Sequence, residues 1–385
     1  MKIAIVGGAL QGTEAVYLSK KAGYETFVID RRNEAPALSL ADGYEVFDPS
    51  LDKKRAMRIF NDCDAVLPAN ENLTLLHSLN DMMRSSNVPF LFDMDSYTLS
   101  SSKSASNRMM EAAGIPLPGK WPECGFPAIV KPSGQSGSVG VRVAYNDDDV
   151  KAGIDDIIKM SDHPVIQEFV SGKSVSIEAV GNGSEYRSFV TTEVMLSGNY
   201  DCKRVRCAPG ILNDEREKEF RRIAEAAASY IHLRALMDVE AIDTKNGLRV
   251  LEIDARIPSQ TPAAVLAATG VNILEELVNS RKGKFGGSIK NGASSYEHFL
   301  IKDKKLITCG EKEFAHVVHP EISKGLFGSD EMISDYRPGV KEWRGTMING
   351  AASEKALERK RSACIDRIMK ECGLKEFVDE TPEMV

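Results

Sequence analysis

The sequence has few cysteines, and none are paired at metal-ligand spacing. Seven cysteines stand among 385 residues, an odd number without a C-x-x-C pair, so neither a disulfide framework nor a zinc site is indicated. His316 and His319 are close in sequence but have no third ligand nearby, so they are interpreted as surface or structural histidines. Long apolar runs are also missing, since none approaches the ~18 residues that a membrane span needs. We therefore expect a cytoplasmic protein with no membrane association.

An excess of positive charge is the next absence. The chain carries 49 Lys and Arg against 56 Asp and Glu, a net charge of -7, which gives no general attraction to nucleic acid. Small-molecule partners are expected instead. The length exceeds the roughly 250 to 300 residues at which a single core stops growing, so it predicts two or three domains.

The middle glycine of a dinucleotide-binding turn is missing too. The opening MKIAIVGGALQGTEAVYLSKKAGYETFVIDRR has the strand, turn, helix, strand and final acid, Asp30, of such a unit. Gly7, Ala9 and Gly12 occupy the three positions of G-x-G-x-x-G, and the Ala9 methyl group stands where the backbone must approach a pyrophosphate. The pattern predicts a βαβ unit but weakens the case for an NAD-dependent oxidoreductase.

Hydrophobic patterns divide the chain into three predicted domains, 1–93, 94–183 and 184–385. The first alternates β-runs with helical segments, which is typical of a parallel sheet with crossover helices. A serine-capped helix, then Gly114 and prolines, begins a second unit, and residues 126 to 205 read as short strands of an antiparallel sheet. The predicted fold class is therefore α/β followed by α+β.

The segment LMDVEAIDTKNGLRVLEIDAR predicts an acidic hairpin. Asp238 and Glu240 share one face of its first strand, and Glu252 and Asp254 share one face of the return strand. A three-residue loop ending at a left-handed Gly247 pairs Glu240 with Glu252 and Asp238 with Asp254, whereas a two-residue Asn-Gly loop puts the two pairs on opposite faces.

In the first register the four acids need a cation. Two like charges ~5 Å apart repel by roughly 3 kcal/mol at an effective dielectric of 20, and oxygen-only ligands favour Mg²⁺ bridged to substrate phosphates. The alternative is a solvated acidic hairpin, which the apolar residues between the acids disfavour.

A second motif, FPAIVKPSGQSGSVGV, places Lys131 at the end of a buried strand before a glycine and serine loop. Such a loop is rich in backbone donors and suits a mobile flap over phosphates. The Walker spacing G-x-x-x-x-G-K-[ST] is absent, so ordinary P-loop chemistry is not indicated. A simple hairpin connection is the alternative.

Together these motifs resemble those of the ATP-grasp ligases. Lys103 in SSKSASNRMMEAAGIPLP, Lys131 with its flap, QEFVSGKSVSIEAV, and MDVEAID with LEIDAR occur in that family's order and spacing from residue 1 to about 280. The resemblance implies an ATP-grasp fold with an N-terminal Rossmann-like domain that holds substrate and binds no nicotinamide. It also implies ATP and Mg²⁺ as cofactors.

The resemblance assigns site residues by position. Lys103 and Lys131 would hold phosphates, with Lys131 and the basic Arg256 as catalytic residues. Asp254 stands where the family often has Asn, so the number of metal ions stays open. The implied magnesium ligands are Glu240, Glu252 and Asp254, and the implied nucleotide-binding residues beyond the lysines are Ser133, Gly134, Ser136, Gly137, Ser138, Glu168, Phe169 and Val170.

Within that family, VGGALQG, LPANENLTLLHSL and DARIPSQTP resemble the amino-acid ligases of pyrrolysine biosynthesis. This implies that the carboxylate of 3-methylornithine is activated as an acyl phosphate and joined to the side-chain amine of L-lysine. Another amino-acid or dipeptide ligase, or a non-catalytic nucleotide-binding regulator, is the alternative, and a homodimer is compatible with the sequence. Candidate substrate-binding residues, each of which has a turn or cap as its alternative role, are Gln11, Gly12, Glu71, Asn72, Arg206, Ser259, Gln260 and Thr261.

Overall fold

The computed structural model describes residues 1–137, 139–287 and 289–382. Its N-terminal unit is a parallel sheet of four strands in the order β3-β2-β1-β4. The elements of this unit are β1 (Lys2–Val6), α1 (Leu10–Lys21), β2 (Glu25–Asp30), α2 (Ala37–Leu40), β3 (Gly43–Val46), α3 (Lys53–Asn61), β4 (Ala65–Pro68), α4 (Leu73–Arg84), α5 (Met94–Ser100) and α6 (Lys103–Ala112).

The continuous apolar run of β1 reflects a strand that is covered on both faces. Ile3 and Ile5 join a core that includes the buried side of α1. Ala4 and Val6 point the other way and pack in a second core with Phe60 of α3. One of the β-runs predicted for the first domain, PFLF at residues 89–92, does not form a strand, because only an isolated bridge between Val66 and Phe90 forms there.

A small antiparallel sheet in the order β6-β5-β7 follows. It has its own core, in which Val130 and Ala144 pack against Val150 and Ile157 of a single helix. The predicted single sheet over residues 126 to 205 is therefore divided between this unit and a larger sheet. The elements of the small unit are β5 (Ala128–Pro132), β6 (Arg142–Ala144), α7 (Asp147–Lys159) and β7 (Pro164–Glu168).

The remaining strands form one large sheet, with the order β13-β12-β8-β10-β11-β14-β18-β17-β16 along its main path. Its strands are β8 (Lys173–Gly181), β9 (Tyr186–Ser188), β10 (Thr192–Leu196), β11 (Cys202–Cys207), β12 (Leu236–Thr244), β13 (Gly247–Asp254), β14 (Ala293–Lys302), β15 (Lys305–Thr308), β16 (Glu321–Lys324), β17 (Glu331–Ser334), β18 (Trp343–Ala351) and β19 (Glu376–Val378). Its helices are α8 (Asp214–Tyr230), α9 (Thr261–Thr269), α10 (Ile273–Ser280), α11 (Glu311–Phe314), a 3₁₀ turn (Leu326–Gly328) and α12 (Glu354–Glu371).

The register of this sheet defines two faces. Glu240 pairs with Ser176, Ser176 with Thr192, and Thr192 with Cys207, and directly paired residues of antiparallel strands point to the same side. We call this side the front face. The N-terminal unit lies against it together with α9, since the Ala263 amide at the start of α9 donates to Glu14 of α1 at 2.6 Å.

Glu14 caps a helix of another unit. Gln260, the residue before α9, makes no side-chain capping bond, so one of the open amides of that helix is satisfied by Glu14. Burial raises the pKa of Glu14 to about 8. The Asn272 side chain adds a second link by donating to the carbonyl of Leu18 at 2.8 Å. The N-terminal unit is thus attached to the large sheet through buried hydrogen bonds.

Within the described ranges, no single helix is long and apolar enough to cross a membrane. Only α9 and α10 taken together reach the required length and composition, and they are bent by 96° at their junction.

Candidate active site

The acids of the hairpin pair as predicted, but a bulge produces this pairing instead of a three-residue loop. The hairpin loop is only two residues long, because Thr244 pairs with Gly247, and that register alone would put Glu240 opposite Leu251. A bulge corrects it: Ala241 pairs with Val250 and Glu240 with Glu252, which leaves Leu251 without a partner. A bulge turns every later side chain to the other face. The acids of both strands therefore meet on the front face.

The nearby lysine and arginine side chains do not fully offset the negative charge of these acids. Burial, followed by repulsion from Glu252 and Asp254, raises the pKa of Glu240 to about 8. Burial also raises that of Asp254 to about 6, although Arg256 opposes the rise. Among the described residues no three acids, histidines or cysteines already converge as a metal site. The donor set nevertheless fits a divalent cation, because half-buried carboxylate oxygens that repel one another are hard ligands in need of charge.

Arg256 follows the hairpin and binds three carboxylates at once. Its Nε donates to Glu71 at 3.1 Å, Nη1 to Asp238 at 3.1 Å and Nη2 to Asp254 at 3.0 Å. Its side chain is 13% exposed, so the charges are largely shielded from water. The planar guanidinium suits this arrangement, since its donors point in fixed and different directions. Arg256 thereby joins the N-terminal unit to the metal hairpin.

Both predicted lysines reach the hairpin. Lys103 begins α6 and its Nζ lies 2.7 Å from Glu252 and 2.8 Å from the Gln135 carbonyl. Burial opposes its charged form, but Glu252 outweighs that effect and the pKa of Lys103 is raised. Lys131 is buried on β5, and its Nζ lies 3.4 Å from the carbonyl of Leu251, the bulged residue. The bulge thus aligns the acids and supplies an acceptor for Lys131.

The loop between β5 and β6 begins with an anchored residue. Ser133 is buried, its amide donates to the His163 carbonyl at 2.8 Å, and its hydroxyl accepts from the Ser104 amide at 3.1 Å. Gly134, Ser136 and Gly137 beyond it are exposed. The Ser136 hydroxyl donates to Glu71 at 2.6 Å. Ser138 lies outside the described residues. Ser133 is therefore a fixed anchor at the base of the loop, and the candidate flap starts at Gly134.

We expect the flap amides of residues 134–137 to exchange at least about 10-fold more slowly with Mg²⁺ and a non-hydrolysable ATP analogue. Gly134, Ser136 and Gly137 are exposed, which makes local opening easy, and backbone donors of this kind gain anionic partners when phosphate binds. Hydrogen exchange read by mass spectrometry measures this. The amide of Ser133 and those of β5 serve as internal controls and should not change. Equal exchange of the flap with and without the analogue would contradict a closing lid.

Three of the predicted nucleotide-binding residues, Glu168, Phe169 and Val170, lie where β7 ends. The Gly119 amide donates to the Glu168 side chain at 3.0 Å, and the Glu168 amide donates back to the Gly119 carbonyl at 2.8 Å. The Phe169 amide donates to the Pro127 carbonyl at 3.1 Å. All three predicted residues, Val170 included, are half-buried. They form a rigid edge of the small sheet, on the strand that pairs directly with the Lys131 strand.

Of the residues predicted in the N-terminal unit, two contact the site. Gln11 donates to Glu71 at 2.7 Å, which places both next to Arg256. Gly12 has a packing role, since a Cβ there would overlap the Gly7 carbonyl. Asn72 is exposed and its side chain accepts from the Leu75 amide at 2.9 Å, capping α4. Gly12 and Asn72 thus have structural roles, in packing and in helix capping.

The turn after β1 is stabilised by the carboxylate of Asp30. Asp30 accepts from the Gly8 amide at 2.6 Å and from the Arg32 amide at 2.8 Å. It therefore stabilises the turn and is not free for a ribose. Together with the Ala9 methyl group, this arrangement disfavours a nicotinamide dinucleotide.

Ser259, Gln260 and Thr261 lie between the hairpin and α9, beside an acid that the sequence did not indicate. The Ser259 hydroxyl and the Gln260 amide group donate to Glu311 at 3.1 and 2.8 Å. Thr261 is buried at the start of α9. Glu311 stands in a short helix far along the chain, and no local pattern links it to the hairpin.

The structure corrects the prediction for Arg206. Arg206 pairs with Glu193, which pairs with Val175, while the neighbouring Thr192 pairs with Ser176 of the front face. Arg206 therefore points to the back of the sheet. There it forms ion pairs with Glu193 and with Glu354 of α12. Its position on the face opposite to that of the acidic hairpin follows from strand alternation, and this can be inferred only when the strand pairing is known.

The chain is similar to known proteins along most of its length. A family model described as an ATP-grasp domain matches residues 100–260, and one described as a PylC-like N-terminal domain matches residues 3–91. The 3-methyl-D-ornithine–L-lysine ligase of Methanosarcina barkeri is 36% identical over 314 residues, which cover 80% of this chain and 83% of that protein.

Solved structures show the same fold at low identity. Biotin carboxylase from Campylobacter jejuni, solved as a complex with an ATP analogue, superposes with a TM-score of 0.75 at 17% identity, covering 95% of this chain and 91% of that one. N5-carboxyaminoimidazole synthetase from Staphylococcus aureus, complexed with ADP, gives 0.69 at 19% identity, covering 94% and 96%. The predicted ATP-grasp fold and its N-terminal domain are confirmed, and the chain belongs to the 3-methyl-D-ornithine–L-lysine ligase family of ATP-grasp enzymes.

Proposed function

We propose that this chain joins (3R)-3-methyl-D-ornithine to the N6-amine of L-lysine in pyrrolysine biosynthesis. The γ-phosphoryl group of ATP passes to a carboxylate oxygen of 3-methylornithine, giving an acyl phosphate and ADP. The lysine N6 lone pair then attacks the acyl carbon. The new C–N bond forms, the C–O bond to phosphate breaks, and the nitrogen loses a proton. The named relative from Methanosarcina supports these substrates.

One observation carries the phosphoryl-transfer step. Lys103 and Lys131 approach the hairpin from α6 and β5, and both contact its return strand, at Glu252 and at the Leu251 carbonyl. In our proposal, triphosphate lies between these lysines and the acids, where fixed charges neutralise the transferring group without reorganisation. A nucleotide-binding regulator has no need of this arrangement.

The cofactors of the family are ATP and Mg²⁺, and each has proposed residues here. Glu240, Glu252 and Asp254 would hold Mg²⁺, which would supply positive charge for phosphoryl transfer. Lys103 and Lys131 hold phosphates, Gly134, Ser136 and Gly137 cover them, and Glu168, Phe169 and Val170 line the adenine. Ser133 supports the flap as its anchor.

The amino acids are proposed to meet beside Arg256. Gln11 and Glu71 come from the N-terminal unit, and Ser259 to Thr261 come from the turn before α9. Arg256 contacts the first of these groups through its hydrogen bond to Glu71. Its positive charge suits the reacting carboxylate. We propose that the predicted domains 1–93, 94–183 and 184–385 serve substrate, nucleotide and metal binding, with β8 (Lys173–Gly181) joining the metal-binding unit because it pairs within the large sheet. We also propose a cytoplasmic enzyme that assembles as a homodimer.

The acceptor is tested with lysine and N6-acetyl-lysine. Blocking N6 removes the nucleophile, so we expect the ligated product with lysine and none with the acetylated acceptor. Mass spectrometry of the product, with fragment ions that locate the amide, measures this. An amide on the α-nitrogen, or product from N6-acetyl-lysine, would instead indicate a dipeptide ligase, the alternative function.

A further inference from the structure

Glu311 is a carboxylate beside the hairpin that forms no ion pair with any described residue. Glu311 Oε2 accepts hydrogen bonds from the Ser259 hydroxyl and the Gln260 side chain. Its Oε1 accepts none from the described residues, and no described lysine, arginine or histidine forms an ion pair with it. The half-buried side chain thus presents one free acceptor oxygen.

Four neighbouring acids differ in this respect, whereas Glu240, a proposed metal ligand, and the fully buried Glu178 also form no ion pair with the described residues. Glu71, Asp238 and Asp254 are bound to Arg256, and Glu252 is bound to Lys103. Glu71, a candidate substrate-binding residue, also accepts from Gln11 and Ser136. Its oxygens are therefore engaged by the protein itself, whereas Glu311 keeps a free one.

The residues that donate to Glu311 have a strained backbone conformation. Gln260 has φ 76° and ψ −51°, and the Thr261 amide donates to the Ser259 carbonyl at 2.9 Å, so these residues form a strained γ-turn. The buried Gln260 side chain is fixed between Glu311 and the Cys202 thiol, 3.0 Å away. Strain of this kind persists where the surroundings impose it, and often at functional sites.

A second set of contacts fixes the helix that carries Glu311. Asp201 accepts from the Lys312 amide at 3.0 Å, and a Cβ at Gly310 would overlap the Asp201 carboxylate. Burial and the nearby Asp201 also raise the pKa of Glu311, so a cation placed against it would relieve both effects. The carboxylate is positioned before any substrate arrives.

We infer that Glu311 receives the side-chain ammonium group of the amino acid whose carboxylate is activated, and so selects a diamino acid. This inference rests on the proposed function, which puts the carboxylate beside Arg256. Ser259 and Gln260 stand between Arg256 and Glu311, and these two charges make no ion pair. An α-ammonium group lies next to the reacting carboxylate, whereas the end of an ornithine side chain reaches further.

Direct binding tests this without turnover. Calorimetry in the presence of Mg²⁺ and a non-hydrolysable ATP analogue compares 3-methyl-D-ornithine with the same compound lacking only its side-chain amine. We expect the wild-type protein to bind the diamino acid at least about 10-fold more tightly, as for a hydrogen bond to a charged group. Glu311→Gln should bind the two compounds within about 3-fold of each other.

Matched variants make the result specific. Glu313→Gln, on the same short helix but paired with Arg344, should keep the wild-type preference. Glu311→Asp retains the charge and should keep a reduced preference, which tests the inference if the Gln variant folds poorly. An unchanged preference in Glu311→Gln, or equal losses for both compounds, would overturn the inference and leave the proposed function intact. Failure of the wild-type protein to bind 3-methylornithine would overturn both.

Discussion

Glu252→Gln is expected to lower ADP release by roughly 100-fold or more, measured with both amino acids present. The substitution keeps the shape of the side chain but removes a charge that faces Glu240 across the hairpin and lies 2.7 Å from Lys103. The proposed metal site loses a ligand charge, and Lys103 loses the partner that fixes it. Glu240→Gln should behave in the same way.

The control for this prediction is Asp243→Asn. Asp243 stands on the same strand as Glu240 but near the loop, where Arg216 is its partner at 3.8 Å. Its variant should release ADP at close to the wild-type rate. If Glu252→Gln also retained that rate, with the fold intact by circular dichroism, the hairpin would have no part in phosphoryl transfer.

Arg256→Gln is expected to reduce both stability and activity. It leaves Glu71, Asp238 and Asp254 without the cation that they share. Breaking a buried ion pair from one side costs about 3–5 kcal/mol, so the free energy of unfolding in urea should fall by an amount of that order. ADP release should fall as well, because the reacting carboxylate loses its proposed partner.

Arg256→Lys separates the two effects. A lysine restores the charge but cannot hold three carboxylates in fixed directions, so it should recover part of the stability and little of the activity. Arg142→Lys is the matched control, since Arg142 pairs with Asp156 at an exposed position, where such pairs contribute about 0–1 kcal/mol. Wild-type stability and activity in Arg256→Gln would show that this arginine has neither role.

Much of the site could be predicted because its motifs are local. Lys103 begins a helix, Lys131 lies near the end of a strand, and Glu240 and Glu252 lie within a hairpin with a clear alternating pattern. The structure brings all four together. The hairpin register was predicted correctly from a wrong loop. Sequence reasoning counted loop residues, whereas the extra residue is the bulged Leu251, which no propensity marks.

The errors concern contacts between distant elements. Arg206 precedes Cys207 by one residue, and only the pairing of β10 with β8 shows which of the two points to the front. Glu311 reaches the site from 50 residues beyond Thr261 along the chain, as the numbering shows. Ser133 lies within a flexible-looking run but is fixed by His163 and Ser104. Tertiary contacts of this kind leave no local signature.

The Glu14 cap sets a rule for building chimaeras from this family. A donor N-terminal region grafted at residue 93 would arrive with its own first helix, and α9 would keep an open amide unless that helix presented an acceptor at the position of Glu14. The Asn272 side chain would likewise need a carbonyl where Leu18 now provides one. Exchange of the substrate domain should therefore succeed when α1, α9 and the start of α10 are transplanted together. These three segments are far apart in the sequence but form one structural unit.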